Sequence, residues 1–341
     1  MRLERFALLA GLGLFLWLLH GIGLGVVVHN LGQIGWGFAA VLALEAVVVI
    51  LTTLGSRRTL PALRRVRFRS LLAMRIAGDG VNALAPAAVV GGELVRARLL
   101  ARYVPGAEAL GSVGLAAMAQ FLAQVLFVGL GATVARGGGL QPRLRLFGLA
   151  LLAFLVVFLA VLDRISRRRE SPPPRLGRLL DRVGRLLGGS SPREGFWRDL
   201  ESQVFGAVRE RPGDLALSVL FFLGGWSLGV VEVGLVLKFL GTPAPVGTAL
   251  SIAVLAVLVE GVFFFVPARV GVQEGGLYAI FLALGLNPAK GFSLGLVRRL
   301  RELAWALAGL TILGLHRRRR PPGITEVRSE LPDSEASRSP V

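Results

Sequence analysis

The chain contains no cysteine, which excludes disulfides, thiolate metal sites, iron–sulfur clusters and cysteine nucleophiles. Its three histidines, His20, His29 and His316, are far apart and do not have the spacing of metal ligands. Neither the phosphate-binding pattern GxxxxGKS/T nor the zinc-protease pattern HExxH occurs. We therefore expect no cofactor, no metal and no enzyme activity of a familiar kind.

Acidic side chains are few beside basic ones: 21 Asp and Glu stand against 39 Lys and Arg, a formal net charge of +18. Only Lys238 and Lys290 are lysines. The arginines are concentrated beside long apolar runs, as the positive-inside rule describes for membrane proteins. Membrane orientation explains this charge better than nucleic-acid binding does, so no nucleic-acid partner is expected.

Long apolar runs are abundant, and hydrophobic residues make up 54% of the chain. Several runs approach or exceed the roughly 20 residues that cross a bilayer. The first run is too long for the apolar core of a signal peptide, so we interpret it as a retained helix. The predicted fold class is an all-α polytopic membrane protein with about eight transmembrane helices in two halves and with re-entrant or broken segments. Long helices are predicted at residues 6–28, 36–54, 107–134, 144–162, 215–240, 247–266 and 289–315, with a connection at 29–35.

The distribution of arginine predicts the orientation. Ser56–Ser70 contains six arginines and no acid, and Arg317–Arg320 is a run of four. Both features predict cytoplasmic N- and C-termini, and the membrane expected is the inner membrane of a bacterium. An inside C-terminus requires Val270–Leu286 to cross, yet 17 residues of helix reach only about 25 Å of a core about 30 Å thick. Whether the broken segment 267–287 crosses or is re-entrant stays open.

The domain organisation predicted is two membrane halves, residues 1–163 and 213–316. Between them, residues 164–212 form a basic cytoplasmic loop, in which Arg164–Arg211 contains twelve arginines and six acids. Residues 317–341 are polar and are predicted to be a disordered tail.

Residues 71–102 form the most unusual stretch, because they are apolar but contain glycine, proline and charge. Gly78, Gly80, Pro86 and the pair Gly91–Gly92 are expected to interrupt any helix. A re-entrant hairpin that turns near Pro86, with its second limb starting at Gly92, fits this composition, because irregular backbone inside a membrane must line protein or a cavity. The alternative is a short amphipathic helix lying on the membrane after a loop.

The second half repeats this pattern, with a glycine-flanked glutamate beside arginines. Glu93 follows Gly91–Gly92, and Glu274 precedes Gly275–Gly276. Paired breaks in two halves are a sequence sign of a transporter site, and arginines there suit a phosphate or an acidic headgroup. The predicted substrate-binding residues are Asn82, Glu93, Arg96, Arg98, Glu274, Arg298, Arg301 and Glu302. The predicted structural hinges are Pro86, Gly91, Gly92, Pro267, Gly271, Gly275 and Gly276.

A structural interpretation of the same charges is also open. Glu93–Arg96 and Arg298–Glu302 have the i,i+3 and i,i+4 spacing of ion pairs that satisfy each other on one helix face. Glu45, inside the second helix, is either a functional carboxylate or a neutral or paired structural one. Gln120 and Gln124 lie one turn apart, and we expect them to pack rather than to bond across helices.

Three runs in order carry a family resemblance: VNALAPAAVVGGELVRARLL, FFFVPARVGVQEGG and SLGLVRRLREL. Over most of residues 1–316 the chain resembles the flippase-like transmembrane family of lysylphosphatidylglycerol synthases, and most of all its branch associated with hopanoid biosynthesis. The resemblance implies a multi-helix fold with re-entrant segments and movement of lipids between leaflets. It places the family's polar and turn positions on Asn82, Pro86, Gly91, Gly92, Glu93, Arg96, Gly271, Glu274 and Arg298.

Two features depart from that family. Pro267-Ala268 stands where the family usually has Pro-Gly, and alanine resists a positive φ. An aminoacyl-transfer domain is not expected in the residues after the last helix, so lysine transfer to lipid is not expected either.

The sequence thus predicts a lipid-binding membrane protein, with membrane lipids as partners and lipid-biosynthetic membrane enzymes as further candidates. One rival is a non-transporting scaffold that recruits lipid-modifying enzymes through residues 164–211. The other is a membrane-embedded enzyme using Glu93 or Glu274 as acid or base. The lipid, the direction and energy source of transport, and the oligomeric state stay open.

Overall fold

A computed structural model describes residues 2–60, 66–84, 88–135, 141–167, 206, 209–263, 266 and 269–318. Within these residues the chain forms eleven long helices and no strand. The prediction of an all-α polytopic membrane protein is confirmed. The helices are α1 (Arg2–Ile22), α2 (Leu24–Ile34), α3 (Gly37–Arg58), α4 (Phe68–Leu84), α5 (Ala88–Leu100), α6 (Gly106–Val134), α7 (Gln141–Arg167), α8 (Pro212–Phe239), α9 (Val246–Val262), α10 (Val272–Ala283) and α11 (Pro288–Arg318).

Four of the described helices are long and apolar enough to cross a membrane: α3, α6, α8 and residues 141–161 of α7. The bent pair α1–α2 adds a fifth if it is one span. A count of eight also needs α9, α10 and α11 to cross, and these are short or carry many charges. The count of eight therefore stays a prediction, as do the domain boundaries. Most of residues 164–212, and the predicted tail from residue 319 onward, lie outside the described part of the chain.

The prediction of a single helix over residues 6–28 is wrong, because this run is divided between α1 and α2. Gly23 has a φ of +88°, and the chain bends there by 88° between α1 and α2. The predicted connection at 29–35 is wrong as well, because α2 continues to Ile34 and ends at Gly35, which has a φ of +44°. Glycine takes these left-handed angles without the steric cost that a Cβ brings, so both corners fall on it.

Helices α4 and α5 form the predicted hairpin, and residues 85–87 between them, which include Pro86, lie outside the described residues. Its second limb begins at Ala88, not at Gly92. The expectation that Gly78, Gly80 and Gly91–Gly92 interrupt helices is wrong, because all four lie inside α4 or α5. Gly78, Gly80 and Gly92 instead serve close packing: a Cβ at Gly92 would collide with the carbonyl oxygen of Gly78 on the other limb.

The second break is built around Gly271, which has a φ of +75°. Its N–H donates to the Glu274 carboxylate at 3.0 Å, which caps α10, and a Cβ there would collide with the backbone of Gly11 in α1. Pro267 and Ala268 lie outside the described residues; among those that are described, the non-glycine residue with a left-handed φ is Arg269, at +51°. Asn287 caps α11, its Oδ1 accepting from the Ala289 N–H at 3.0 Å.

The two predicted halves share one hydrophobic core. Buried side chains from α3 and α6 pack with those from α8 to α11, and the Ser218 hydroxyl of α8 donates to the Gly55 carbonyl of α3 at 2.9 Å. Outside this core α4 packs along α11. The members of the shared core include Val41, Phe127, Val233, Ile252, Phe281 and Leu294.

The α4–α11 contact depends on glycine at both surfaces. A Cβ at Gly309 would collide with the carbonyl oxygen of Ile76, and one at Gly80 would lie 2.9 Å from the carbonyl oxygen of Ala306. These are backbone atoms, so no side chain can turn aside to make room.

We predict that Gly309→Ala lowers the thermal midpoint of the purified protein in detergent, because overpacking of this kind costs about 1–3 kcal/mol. Gly314→Ala is the matched control, since it lies on the same helix with nothing within 4 Å of an added Cβ. Both changes gain the same helix propensity. Equal midpoints for the two variants would contradict the close contact.

Candidate functional site

A cavity of about 500 Å³ lies between the two halves of the chain. Its walls come from α3, α4 and α6 on one side and from α8, α9 and α11 on the other, together with Val266 and Arg269. Phe127, Trp226 and Trp305 supply apolar surface. The charged residues that line it are Glu45, Arg75, Asp79, Glu232, Glu260, Arg269, Arg298, Arg301 and Glu302.

The first set of charges, which we name the hairpin cluster, consists of Arg75, Asp79, Glu93 and Arg96. Arg75 Nε donates to Asp79 Oδ2 at 3.0 Å, and Arg96 donates to Asp79 Oδ1. Arg96 Nη1 also donates to Glu93 Oε1 at 2.6 Å. The Asp79 carboxylate is thus held by one arginine from each limb of the hairpin.

The second set, the central cluster, consists of Glu45, Glu232, Arg298 and Arg301. Arg301 Nη1 lies 2.7 Å from Glu232 Oε1 and 3.0 Å from Glu45 Oε2. Arg298 Nε lies 3.4 Å from the other Glu232 oxygen. This cluster ties α11 to both α3 and α8.

The third set, the break cluster, surrounds the second break. Arg269 Nη1 donates to Glu260 at 2.7 Å, and Arg299 Nε donates to Glu274 at 3.0 Å. Arg299 Nη2 also donates to the Arg269 carbonyl at 2.8 Å, which fixes the backbone where φ is positive. Glu302 is paired more loosely, 3.6 Å from Arg299.

These three clusters contain six arginines and seven carboxylates, so almost every charge meets its opposite. Ionisable groups inside a membrane are costly unless they are paired or face water, and they therefore mark pathways and binding sites. A cavity lined by paired charges can accept a charged ligand by exchanging internal pairs for pairs with the ligand.

The structure brings half of the predicted substrate-binding residues to this cavity: Asn82, Arg298, Arg301 and Glu302. Asn82 Oδ1 also accepts from the Gly92 N–H at 2.7 Å and so links the two limbs of the hairpin. Whether these residues bind a substrate stays a prediction.

The other four predicted residues lie elsewhere. Glu93 and Arg96 line a smaller cavity of about 50 Å³ beside the hairpin, although Arg96 reaches the main cavity through Asp79. Glu274 is 1% exposed and lines neither cavity. Arg98 is exposed and also lines neither.

The predicted hinge residues are placed in two ways. Gly271 takes a left-handed φ, whereas Gly91 and Gly92 lie within α5 and Gly275 and Gly276 within α10. A Cβ at Gly276 would lie 2.7 Å from Val259 of α9, so this glycine serves packing. Pro86 and Pro267 lie outside the described residues, and hinge motion stays a prediction.

The structural interpretation holds for one pair and fails for the other. Glu93 and Arg96 form the ion pair that their spacing suggests. Arg298 pairs instead with Glu232, from another helix. The expectation that Gln120 packs without bonding across helices is wrong, because its Oε1 accepts from Arg75 Nη2 of α4 at 3.3 Å.

Asp79 and Arg75, which form part of the hairpin cluster, were not among the predicted site residues. Their i,i+4 spacing in an apolar stretch was the available signal. Glu232 and Glu260, single acids inside apolar helices, carried the signal of an intramembrane charge.

The pattern GxSxG occurs twice, at residues 225–229 and 291–295, both within helices. A nucleophile elbow requires a turn between a strand and a helix. Ser227 and Ser293 instead donate to the carbonyls of Leu223 and Ala289 in their own helices, so neither has the geometry of a hydrolase nucleophile. No group of three or more His, Asp or Glu side chains in the described part of the chain is placed to hold a metal ion.

A helical membrane protein with a charged cavity at the junction of its halves is the class that the fold and this geometry define. The profile of the family described as Lysylphosphatidylglycerol synthase TM region matches residues 5–310, and the chain belongs to that family. Comparisons with curated proteins and with solved structures gave no match.

We predict that Arg301→Gln destabilises the protein by about 3–5 kcal/mol, because breaking a buried pair strands the partner charge. Glu232 is 3% exposed and would keep only its 3.4 Å contact to Arg298. Glu45→Gln is expected to cost less, since Arg301 keeps its bond to Glu232. Thermal midpoints in detergent test the ranking.

Arg58→Gln is the control for that ranking. Arg58 is 41% exposed and pairs with Asp214 at 3.6 Å, and exposed pairs contribute about 0–1 kcal/mol. If Arg301→Gln lowers the thermal midpoint no more than Arg58→Gln does, the central cluster does not hold α11 in place.

Proposed function

We propose that the chain binds membrane lipids in the cavity between its halves and moves them between the two leaflets. The observation that carries the proposal is the cavity itself: about 500 Å³, lined by both halves and by charges of both signs. Membership of a family named for the membrane region of a lipid-synthesising protein supports a role connected with lipid.

The size and walls of the cavity suit an amphiphile. Ligand pockets commonly measure about 300–1,000 Å³ and combine apolar walls with a few placed polar groups. Here the arginines offer donors for a phosphate or acidic headgroup, while Phe127 and Trp226 offer apolar surface.

The proposed mechanism is alternating exposure of this cavity, without a chemical change to the lipid. No nucleotide-binding motif occurs in the sequence, so movement is proposed to be passive or coupled to a gradient. The internal ion pairs would close the cavity when it is empty and exchange with headgroup charges when a lipid enters.

The lipid is proposed to be a phospholipid or a hopanoid-type lipid, the second because the three sequence runs resemble the hopanoid-associated branch. The location proposed is the inner membrane of a bacterium, with both termini cytoplasmic, as the arginine distribution favours. Lipid-biosynthetic membrane enzymes are the proposed protein partners.

The proposal is tested by leaflet exchange in proteoliposomes, with a fluorescent phosphatidylglycerol and a hopanoid-type lipid offered separately. We predict that Arg298→Gln slows exchange of phosphatidylglycerol about tenfold, because the cavity loses one cationic donor. A hydrogen bond to a charged group contributes about 1.5–3 kcal/mol, and 1.4 kcal/mol corresponds to a factor of ten. Glu232 keeps its 2.7 Å contact to Arg301 in this variant, which limits structural damage.

Arg143→Gln is the control, since Arg143 is exposed at the start of α7 and does not line the cavity. If both variants exchange lipid as the unaltered protein does, the cavity is not the route. If the unaltered protein moves neither lipid, transport is overturned, and the scaffold acting through residues 164–211 becomes the better explanation. A chemically altered lipid would point to the enzyme instead.

A further inference from the structure

The hairpin cluster contains a carboxylate in an unusual position. Asp79 Oδ1 and Oδ2 each accept from a different arginine, Arg96 and Arg75 respectively. The Asp79 side chain is 39% exposed and lines the main cavity, whereas those of Arg75 and Arg96 are only 10% and 11% exposed. The Asp79 carboxylate is thus accessible from the cavity, whereas the two arginines that donate to it are buried.

Both arginines are held in place by groups other than Asp79. Gln120 Oε1 accepts from Arg75 Nη1 and Nη2 at 3.4 and 3.3 Å, and the Arg75 guanidinium lies 5.9 Å from the centre of the Phe222 ring. Arg96 is bonded to Glu93. If the Asp79 carboxylate left, the two guanidinium groups would still face the position it vacated.

The central cluster provides an internal comparison. Glu232 is likewise held by two arginines, Arg298 and Arg301, one on each carboxylate oxygen. Glu232 is only 3% exposed, however, so little of its carboxylate is accessible to a ligand. Both carboxylates line the cavity and lie near two arginines, but Asp79 is much the more exposed of the two.

We propose that Arg75 and Arg96 form an anion subsite for the phosphate of a lipid headgroup, and that Asp79 occupies this subsite as an internal placeholder until the phosphate displaces it. The inference rests on the proposed function, because it assigns a headgroup position within the same cavity.

The chemistry of the groups supports such an exchange. A guanidinium binds carboxylate and phosphate oxygens through the same planar fork of donors. Two buried arginines without an anion between them repel each other in a medium of low dielectric, so the empty subsite is disfavoured. An internal carboxylate stabilises the resting state, and because it is exposed on the cavity side it can turn away as the phosphate arrives.

The test is binding of dioctanoyl phosphatidylglycerol to the purified full chain in detergent, followed by tryptophan fluorescence, since Trp226 and Trp305 line the cavity. Asp79→Ala is expected to bind this lipid about tenfold more tightly than the unaltered protein, because the competing carboxylate is gone. Adding Arg75→Gln to that variant should abolish the gain. Asp214→Ala is the charge-matched control, and Asp214 lies outside the cavity.

Two further ligands identify the source of the anion. The Asp79→Ala substitution should raise the affinity for inorganic phosphate less than the affinity for the lipid. It should leave the affinity for neutral dioctanoylglycerol unchanged. A gain for inorganic phosphate as large as that for the lipid would overturn the assignment to a lipid headgroup.

The thermal midpoint covers the case in which Asp79→Ala folds poorly. Phosphatidylglycerol should then raise the midpoint of Asp79→Ala, or of the milder Asp79→Asn, by more than it raises that of the unaltered protein. Equal or weaker binding by folded Asp79 variants would overturn the placeholder and leave lipid binding intact. Absence of binding by the unaltered protein and every variant would overturn the proposed function together with it.

Discussion

The neutralisation of charge inside a hydrophobic fold is the constraint on which this structure depends. A lone arginine or carboxylate among apolar helices is costly, and here such groups occur in three clusters that join different helices. Arg301 reaches Glu45 on α3 and Glu232 on α8, so one side chain holds three helices around the cavity. The same contacts that stabilise the fold therefore define its polar interior.

Much of the architecture follows from periodicity and length. The apolar runs predicted α3, α6 and α8 closely, because a helix in a membrane must satisfy its own backbone and so runs as long as its apolar residues do. Glycine was harder to interpret. Gly23 breaks a helix, whereas Gly80 lies inside one and serves contact with α11. The sequence alone does not distinguish these roles, since the difference lies in what is on the other side of the residue.

The sequence predicted a charged site between membrane helices, but it did not predict which residues line that site. Glutamates flanked by glycine drew attention to Glu93 and Glu274, yet neither lines the main cavity, and each instead accepts a hydrogen bond from an arginine. The acids that line the cavity, among them Asp79 and Glu232, are single residues in apolar helices. Which of them face one another depends on the rotation of each helix about its axis, and this is set by packing between helices far apart in sequence.

The glycine contact between α4 and α11 has a mechanical consequence. Because the backbones of α4 and α11 touch at Gly80 and Gly309, any movement that separated these two helices would have to break close contacts between opposite ends of the chain. α3 and α8 are likewise joined across the two predicted halves, by the bond from Ser218 to the Gly55 carbonyl. Both contacts join residues from the two ends of the sequence, so the cavity proposed to open could not do so by a simple separation of the N-terminal half from the C-terminal half.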